Sequence, residues 1–204
     1  MYQILQLEVG GYDDNFSYLI TAGNKEAALV DPTGDLKVLT DAINREAVIP
    51  KYILLTHGHL DHYQQLGEIL SIFPAEVIAH PNHPMYKHNH ITDLKHFSFG
   101  EKGYIEIIFT PGHTRDSVMY RLDDNSALFT GDTLFIDYVG FCRSKEMYAT
   151  LTKKVLPLSD KLVIYSGHDY GSVKARTLGE ERLKNKFLDF CSYDEFKQRL
   201  QELS

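Results

Sequence analysis

The run Thr56-His57-Gly58-His59-Leu60-Asp61-His62 constrains this chain more than any other feature. It crowds three imidazoles and a carboxylate between the apolar stretch Tyr52 to Leu55 and a segment with Leu66, Ile69, Leu70 and Phe73 at helical intervals. A strand ends, a tight turn follows, and a helix begins. Imidazole nitrogen and carboxylate oxygen are the ligands that suit zinc, iron and related divalent ions. Histidines this dense serve coordination far more often than packing. Gly58 lets the turn fold tightly enough for alternating side chains to converge.

Three later segments repeat the placement. His113 in Thr110-Pro111-Gly112-His113-Thr114 follows the apolar run Tyr104 to Phe109. Asp132 in Thr130-Gly131-Asp132-Thr133 follows Ala127 to Phe129, and His168 in Ser166-Gly167-His168-Asp169 follows Leu162 to Tyr165. Taken singly, such a histidine is more often a hydrogen-bonded surface residue, and such an aspartate a turn former or helix cap. Strand ends in an α/β arrangement gather at one edge, however, so residues far apart in sequence can meet there. Five histidines and two aspartates then allow two adjacent metal sites.

The rest of the chain reads as mixed strands and helices. A β-meander fills the first thirty residues, with strands near Ile4 to Val9, Phe16 to Ile20 and Ala27 to Val30 and turns at Gly10-Gly11 and Gly23-Asn24. Leu36, Leu39 and Ile43 predict a helix, Val77 to Ala79 and Val118 to Leu122 predict strands, and Met147, Leu151 and Val155 predict a further helical stripe. Thr177 with Glu180 and Ser192 with Glu195 have the capping-box spacing, which predicts an ordered helical tail with a last helix over 193–203.

The chain has 204 residues, 43% of them hydrophobic, which predicts one domain over 1–204. A formal net charge of −7 and the absence of any long Lys/Arg run argue against nucleic acid as a partner. Met1 to Val9 lacks the layout of a signal peptide, and no segment approaches the ~18 apolar residues of a membrane span. Cys142 and Cys191 are too few for a disulfide framework, so a cytoplasmic location is expected, with both cysteines as small buried apolar residues. Cys142, in the loop after Asp132, has a second reading as a neighbour of the substrate. The stretch holding His80, His83, His88, His90 and His96 has a functional reading as a lid or accessory ion site. The favoured reading is a solvated loop with scattered histidines, because no pair has a convincing shared-face spacing.

The motifs THGHLDH, TPGHT, FTGDTLF and YSGHDY, in this order and at these separations, resemble the metal-binding motifs of the metallo-β-lactamase superfamily, particularly its glyoxalase II and persulfide dioxygenase branch. The resemblance covers about residues 12 to 190. It implies an α/β (α+β) fold, a four-layer αββα sandwich with metals at one edge. It also implies that His57, His59 and His113 hold one metal, that Asp61, His62 and His168 hold a second, and that Asp132 bridges them. An aspartate at 132 and a histidine after Asp61 look more like glyoxalase II than like true β-lactamases, which disfavours antibiotic hydrolysis.

The resemblance further implies a hydrolase in which two divalent metal ions, zinc first with iron or manganese as alternatives, share a water that attacks a thioester. Asp61 and Asp132 are the catalytic carboxylates, Asp61 also orienting the hydroxide. Tyr170 and Arg143 are the candidate substrate contacts, although packing is an equal reading for Tyr170. The arginine that such families carry in a Gly-Arg loop after GDTLF is displaced here to Arg143. The alternative is a dioxygenase holding one Fe(II) through His57, His113 and Asp132, and the segment Gly171 to Leu188 looks more like that branch. The short helical tail puts a glutathione substrate in question. A small-molecule thioester or thiol conjugate is the expected partner; a nuclease and a metal-binding module without turnover weigh less.

Overall fold

The structure, a computed structural model, describes residues 1–84 and 96–202. Its first sheet contains β1 (Tyr2–Gly10), β2 (Asn15–Ala22), β3 (Glu26–Val30), β4 (Ile49–Leu54) and β5 (Glu76–Ile78), adjacent in that order. β1, β2 and β3 pair antiparallel as the predicted meander, while β4 and β5 join in parallel through α1 (Leu36–Glu46) and α2 (Leu66–Ile72). The second sheet comprises β6 (His96–Phe99), β7 (Gly103–Phe109), β8 (Val118–Leu122), β9 (Ala127–Gly131), β10 (Val163–Ser166) and β11 (Arg176–Thr177), ordered β11-β10-β9-β8-β7-β6. β9 and β10 run parallel, joined through α3 (Ser144–Thr150) and a π-helical turn over Leu151–Val155.

Strand alternation builds the layers. Phe16, Tyr18 and Ile20 of β2 face Val118, Tyr120 and Leu122 of β8 and Phe129 of β9 across the space between the sheets. The opposite faces are covered by helices. Leu19, Leu29 and Ile53 pack under Leu39, Ile43 and Ile69 of α1 and α2. Met119, Leu128 and Ile164 pack under Met147, Leu151 and Val155, together with Leu178 of α4 (Leu178–Lys184) and Phe196 of α5 (Tyr193–Gln201). The order of layers is therefore helix, sheet, sheet, helix, as expected.

Local details depart from the sequence reading in three places. The Thr177–Glu180 capping box forms in both directions, but at α5 only half of one forms. Ser192 accepts from the Glu195 amide, and the Glu195 carboxylate turns to the amide of Cys191 at 2.8 Å. Strand β6 begins at His96, the last histidine of the expected loop, and continues through residues the sequence reading leaves unassigned, because Phe97 and Phe99 alternate toward the inter-sheet core. Cys191 is exposed rather than buried, whereas Cys142 is half-buried against the outer core, and burial pushes its thiol up to about 12.

Candidate metal centre

Five strand ends deliver side chains to one edge of the sandwich: Asp31 after β3, His57 after β4, His113 after β7, Asp132 after β9 and His168 after β10. The two sheets are stitched together there. The Val118 amide donates to the Thr56 carbonyl and the Phe16 amide to the Gly167 carbonyl, each at 2.8 Å. Two glycines make the fit possible. Gly131 sits at φ +49°, and a Cβ on it would lie 2.6 Å from Thr56 Oγ1. A Cβ on Gly167 would lie 2.3 Å from Asp132 Oδ1. Gly58 keeps ordinary backbone, and its need is space, since a Cβ would meet Pro84 at 2.4 Å.

The seven residues expected at the site come together in two groups. His57, His59, His113 and Asp132 form one, and Asp61, His62 and His168 the other, with the ligand atoms of each within 4.8 Å of one another. Asp132 lies between the groups. Its Oδ2 is 3.5 Å from His113 Nε2 and 3.3 Å from His168 Nε2, and its Oδ1 is 3.4 Å from His62 Nε2. Asp61 Oδ2 stands 3.5 Å from both His62 Nε2 and His168 Nε2.

The outer hydrogen bonds fix which ring nitrogen is bare. His113 Nδ1 faces the Phe141 carbonyl at 2.8 Å and His168 Nδ1 the Asp13 carbonyl at 2.6 Å, and a carbonyl can only accept. His62 Nδ1 donates to Asp31 Oδ2 at 3.0 Å. Thr56 Oγ1 gives its proton to Asp31 at 2.6 Å, so it accepts from His57 Nδ1 at 3.1 Å. In the neutral imidazoles, every Nε2 of these four rings therefore points inward without a proton.

Those inward atoms meet unsatisfied. His59 presents one Nδ1 to His57 Nε2 at 3.1 Å and to His113 Nε2 at 3.0 Å, so at most one of the two contacts is a hydrogen bond. His62 Nε2 and His168 Nε2 oppose each other at 3.2 Å, and Asp132 Oδ1 is buried with no hydrogen-bond partner. Converging lone pairs repel unless a cation lies among them. Ligands about 3.3 Å apart are what tetrahedral zinc with Zn–N bonds of ~2.0–2.1 Å demands, and the residues fit divalent cations on this count.

Electrostatics point the same way. Burial, then the neighbouring His62, holds the His57 imidazole well below its ordinary range, and burial lowers His113, so both favour the neutral form that binds metal. Burial opposes charge on His62, but Asp132 and Asp31 outweigh it and raise the group well above its usual value. The Asp132 carboxyl is held well below the usual range despite its burial, chiefly by His62, His168 and His57. Asp132 is thus a buried anion stabilised by positive charge placed around it.

Tyr170 both packs and lies open: its ring stacks on His168 at 4.8 Å, its hydroxyl donates to Asp13 Oδ2, and its side chain stays partly exposed. Arg143 caps the start of α3 and faces Glu146 at 3.7 Å, with its side chain half exposed. The solvated-loop reading is corrected for two of the histidines. His83 is 2% exposed, its Nε2 donating to the His57 carbonyl at 3.0 Å and its ring against Tyr63, while His80 stacks on Phe109. His96 opens β6 against Tyr104, and His88 and His90 lie outside the described residues. Sequence reasoning missed Asp31 and Asn15, whose Nδ2 reaches Asp61 Oδ2 at 3.2 Å, and placed His83 in a loop without seeing its bond to the site. Asp31 carried a usable signal, since it too follows an apolar strand.

The family model "Metallo-beta-lactamase superfamily" matches residues 10–168. A protein of Schizosaccharomyces pombe named "Probable hydroxyacylglutathione hydrolase glo2" is 32% identical over 91% of this chain and 77% of its own length. "Hydroxyacylglutathione hydrolase GloC" of Haemophilus influenzae is 29% identical over 90% of this chain and 96% of its own. The crystal structure of ETHE1 from Myxococcus xanthus superposes with a TM-score of 0.84 at 24% identity, covering 100% of this chain and 91% of that one.

Proposed function

This chain belongs to the metallo-beta-lactamase superfamily, and on that premise we propose that it is a metal-dependent hydrolase of thioesters, holding two divalent cations, zinc foremost. The carrying observation is the pair of ligand groups with Asp132 between them, the Nδ1 atoms of His62, His113 and His168 each held by an outer acceptor so that Nε2 faces inward. Two relatives named as hydroxyacylglutathione hydrolases, aligned over nine-tenths of the chain, support the thioester as substrate.

Divalent cations bound there supply Lewis acidity and a water acidified toward neutral pH. The chain's own groups do the positioning. Asp31 and the Asp13 and Phe141 carbonyls orient three imidazoles from outside. Asn15 donates to Asp61 Oδ2, the oxygen that faces His62 and His168, and so holds the carboxylate in that group, where we assign it the orientation of the attacking water. Tyr170, held by Asp13 and His168, and Arg143, at the start of α3, are the residues we assign to contact the substrate. The two free cysteines fit a cytoplasmic setting, and no described helix is long and apolar enough to cross a membrane.

The test is metal content of protein purified without added metal, paired with hydrolysis of a thioester panel that includes S-lactoylglutathione and with O₂ uptake on glutathione persulfide. Close to two ions per chain, one for each ligand group, with thioester cleavage and no O₂ uptake, is the expected result. One iron per chain with persulfide-dependent O₂ consumption overturns it in favour of a mononuclear dioxygenase using His57, His113 and Asp132.

A further inference from the structure

Half of the exposed large apolar side chains among the described residues lie on segments that carry the metal centre. Twelve are exposed among the described residues, and six of them, Tyr12, Leu60, Tyr138, Phe141, Tyr170 and Val173, sit on loops that build the metal centre. Folding normally hides such groups, and an exposed apolar patch beside polar groups marks a place where something binds. Single exposed residues such as Ile49 and Leu183 carry no such message.

Four of the six are tied to the centre by the backbone or by ring contact, and the other two lie on loops bonded to each other. Phe141, 93% exposed, is held through its own carbonyl, which accepts from His113 Nδ1 at 2.8 Å. Leu60, 59% exposed, stands between His59 and Asp61. Tyr12, 79% exposed, precedes Asp13, whose carbonyl accepts from His168 Nδ1 at 2.6 Å. Tyr170 lies parallel to the His168 ring. The loop of Val173 is bonded to that of Tyr138 through the Ser172 amide and Asp137 Oδ2 at 2.9 Å. Four separate connections of the fold thus place an apolar group beside a ligand.

The charge on the same loops does not favour a polyanion. Asp13, Asp14 and Asp61 lie there, Arg143 is opposed by Glu146 at 3.7 Å, and Lys174 by Glu8 at 2.5 Å. Arg115, exposed two positions beyond His113, and Arg143 supply the positive charge.

We infer that these side chains form an apolar rim that selects thioesters bearing an aryl or extended alkyl substituent over small polar or multiply charged ones. The inference rests on the thioesterase reading of the same centre. Transfer of such a substituent from water to the rim strengthens binding before the carbonyl reaches the ligands, and an apolar increment of this kind discriminates by roughly 10- to 200-fold.

The test compares kcat/KM for S-acetyl and S-phenylacetyl N-acetylcysteamine, S-acetyl benzyl mercaptan and S-lactoylglutathione in the metal-loaded enzyme. Leu60→Ala, Phe141→Ala and the control Leu183→Ala are measured alongside. A second readout, on chelator-treated protein, is the fluorescence of the neutral apolar dye N-phenyl-1-naphthylamine. The expected result is at least a tenfold preference for whichever ester carries the phenyl group, the acyl and thiol arms showing which side occupies the rim. That preference and the dye signal fall severalfold in Phe141→Ala and Leu60→Ala and persist in Leu183→Ala. Equal rates across the panel, preference for S-lactoylglutathione, or a preference unchanged in the rim variants overturns the inference. Loss of dye binding in the rim variants with no thioester cleaved by any of them sinks the thioesterase reading and leaves the rim standing.

Discussion

The carbonyl oxygen of His57 accepts a hydrogen bond from Nε2 of His83 at 3.0 Å, across 26 positions of sequence. The bond clamps the turn between the first two histidines of the site through its backbone, with Pro84 against Gly58 as a second brace. His83→Leu removes the donor while keeping most of the volume, and His83→Gln restores an N–H. Outer partners of metal ligands typically tune affinity 10- to 100-fold. Metal release into a chelator, followed by a chromophoric indicator, should speed up about tenfold in the leucine variant and recover in the glutamine variant. Equal release from both variants would remove His83 from the support of the site.

Asp31 carries a heavier duty. Its carboxylate takes the Thr56 amide at 2.8 Å, the Thr56 hydroxyl at 2.6 Å and His62 Nδ1 at 3.0 Å, all buried. Asp31→Ala leaves these donors without partners, at about 1–3 kcal/mol for each buried group. Urea unfolding should show a loss of at least about 3 kcal/mol, and the purified variant should lose metal from the group containing His62. A near-native midpoint with full metal content contradicts this role.

The layers and the seven converging residues were legible because their signals are periodic or chemically dense. Phe16, Tyr18 and Ile20 announce an inward strand face, and the 56–62 run announces a site. What supports the site was legible only in part, Asp31 by its place after an apolar strand. Asp31 and His83 act through partners that become neighbours only when β3, β4 and the segment after β5 align, and a lone aspartate or histidine has no sequence spacing to betray that. The two-residue strand β11 is too short to show a period, and Glu195 had two competing amides within reach.

The ligand roles themselves divide into two classes of variant. His59→Ala removes an exposed nitrogen from one group only, whereas Asp132→Asn weakens the carboxylate shared by both. Loss of several kcal/mol of transition-state stabilisation corresponds to at least about a thousandfold drop in kcat. Both variants should show that drop and keep a native circular dichroism spectrum, with about one ion retained in His59→Ala and fewer in Asp132→Asn. Full turnover in either would dismantle the site assignment.

Arg176 anchors the loop that carries Tyr138 and Phe141. Its guanidinium binds Asp137 Oδ1 at 2.6 Å and the buried Glu181 at 2.7 Å. Burial works against ionised Asp137, but bonds from Ser172 and Arg176 outweigh it and hold its carboxyl below the ordinary range. A carboxyl depressed in the folded state contributes stability that is present above its unfolded value and lost as pH falls through the folded one. Asp137→Asn should therefore be less stable than the parent at pH 7 and approach it as pH drops below about 4. Arg176→Ala, which strands a buried Glu181, should cost about 3–5 kcal/mol at pH 7. Urea midpoints at the two pH values check both, and a gap that stays constant with pH contradicts the Asp137 account.

Gly167 offers the most selective lesion. A methyl group there meets Asp132 Oδ1 at 2.3 Å and His62 Cε1 at 2.7 Å, while the backbone needs no left-handed conformation. The chain can therefore fold with alanine at this position, but only by pushing apart the shared carboxylate and a histidine of the second group. Overpacking of this kind costs about 1–3 kcal/mol, well within what a domain of this size tolerates. Its effect on geometry is larger, because displacing a ligand by an ångström spoils a site that was built to fractions of one. Gly167→Ala should remain cooperatively folded in urea, bind metal weakly by isothermal titration, and lose activity by a hundredfold or more. If it binds metal as the parent does, then Asp132 and His62 do not need the positions this structure gives them.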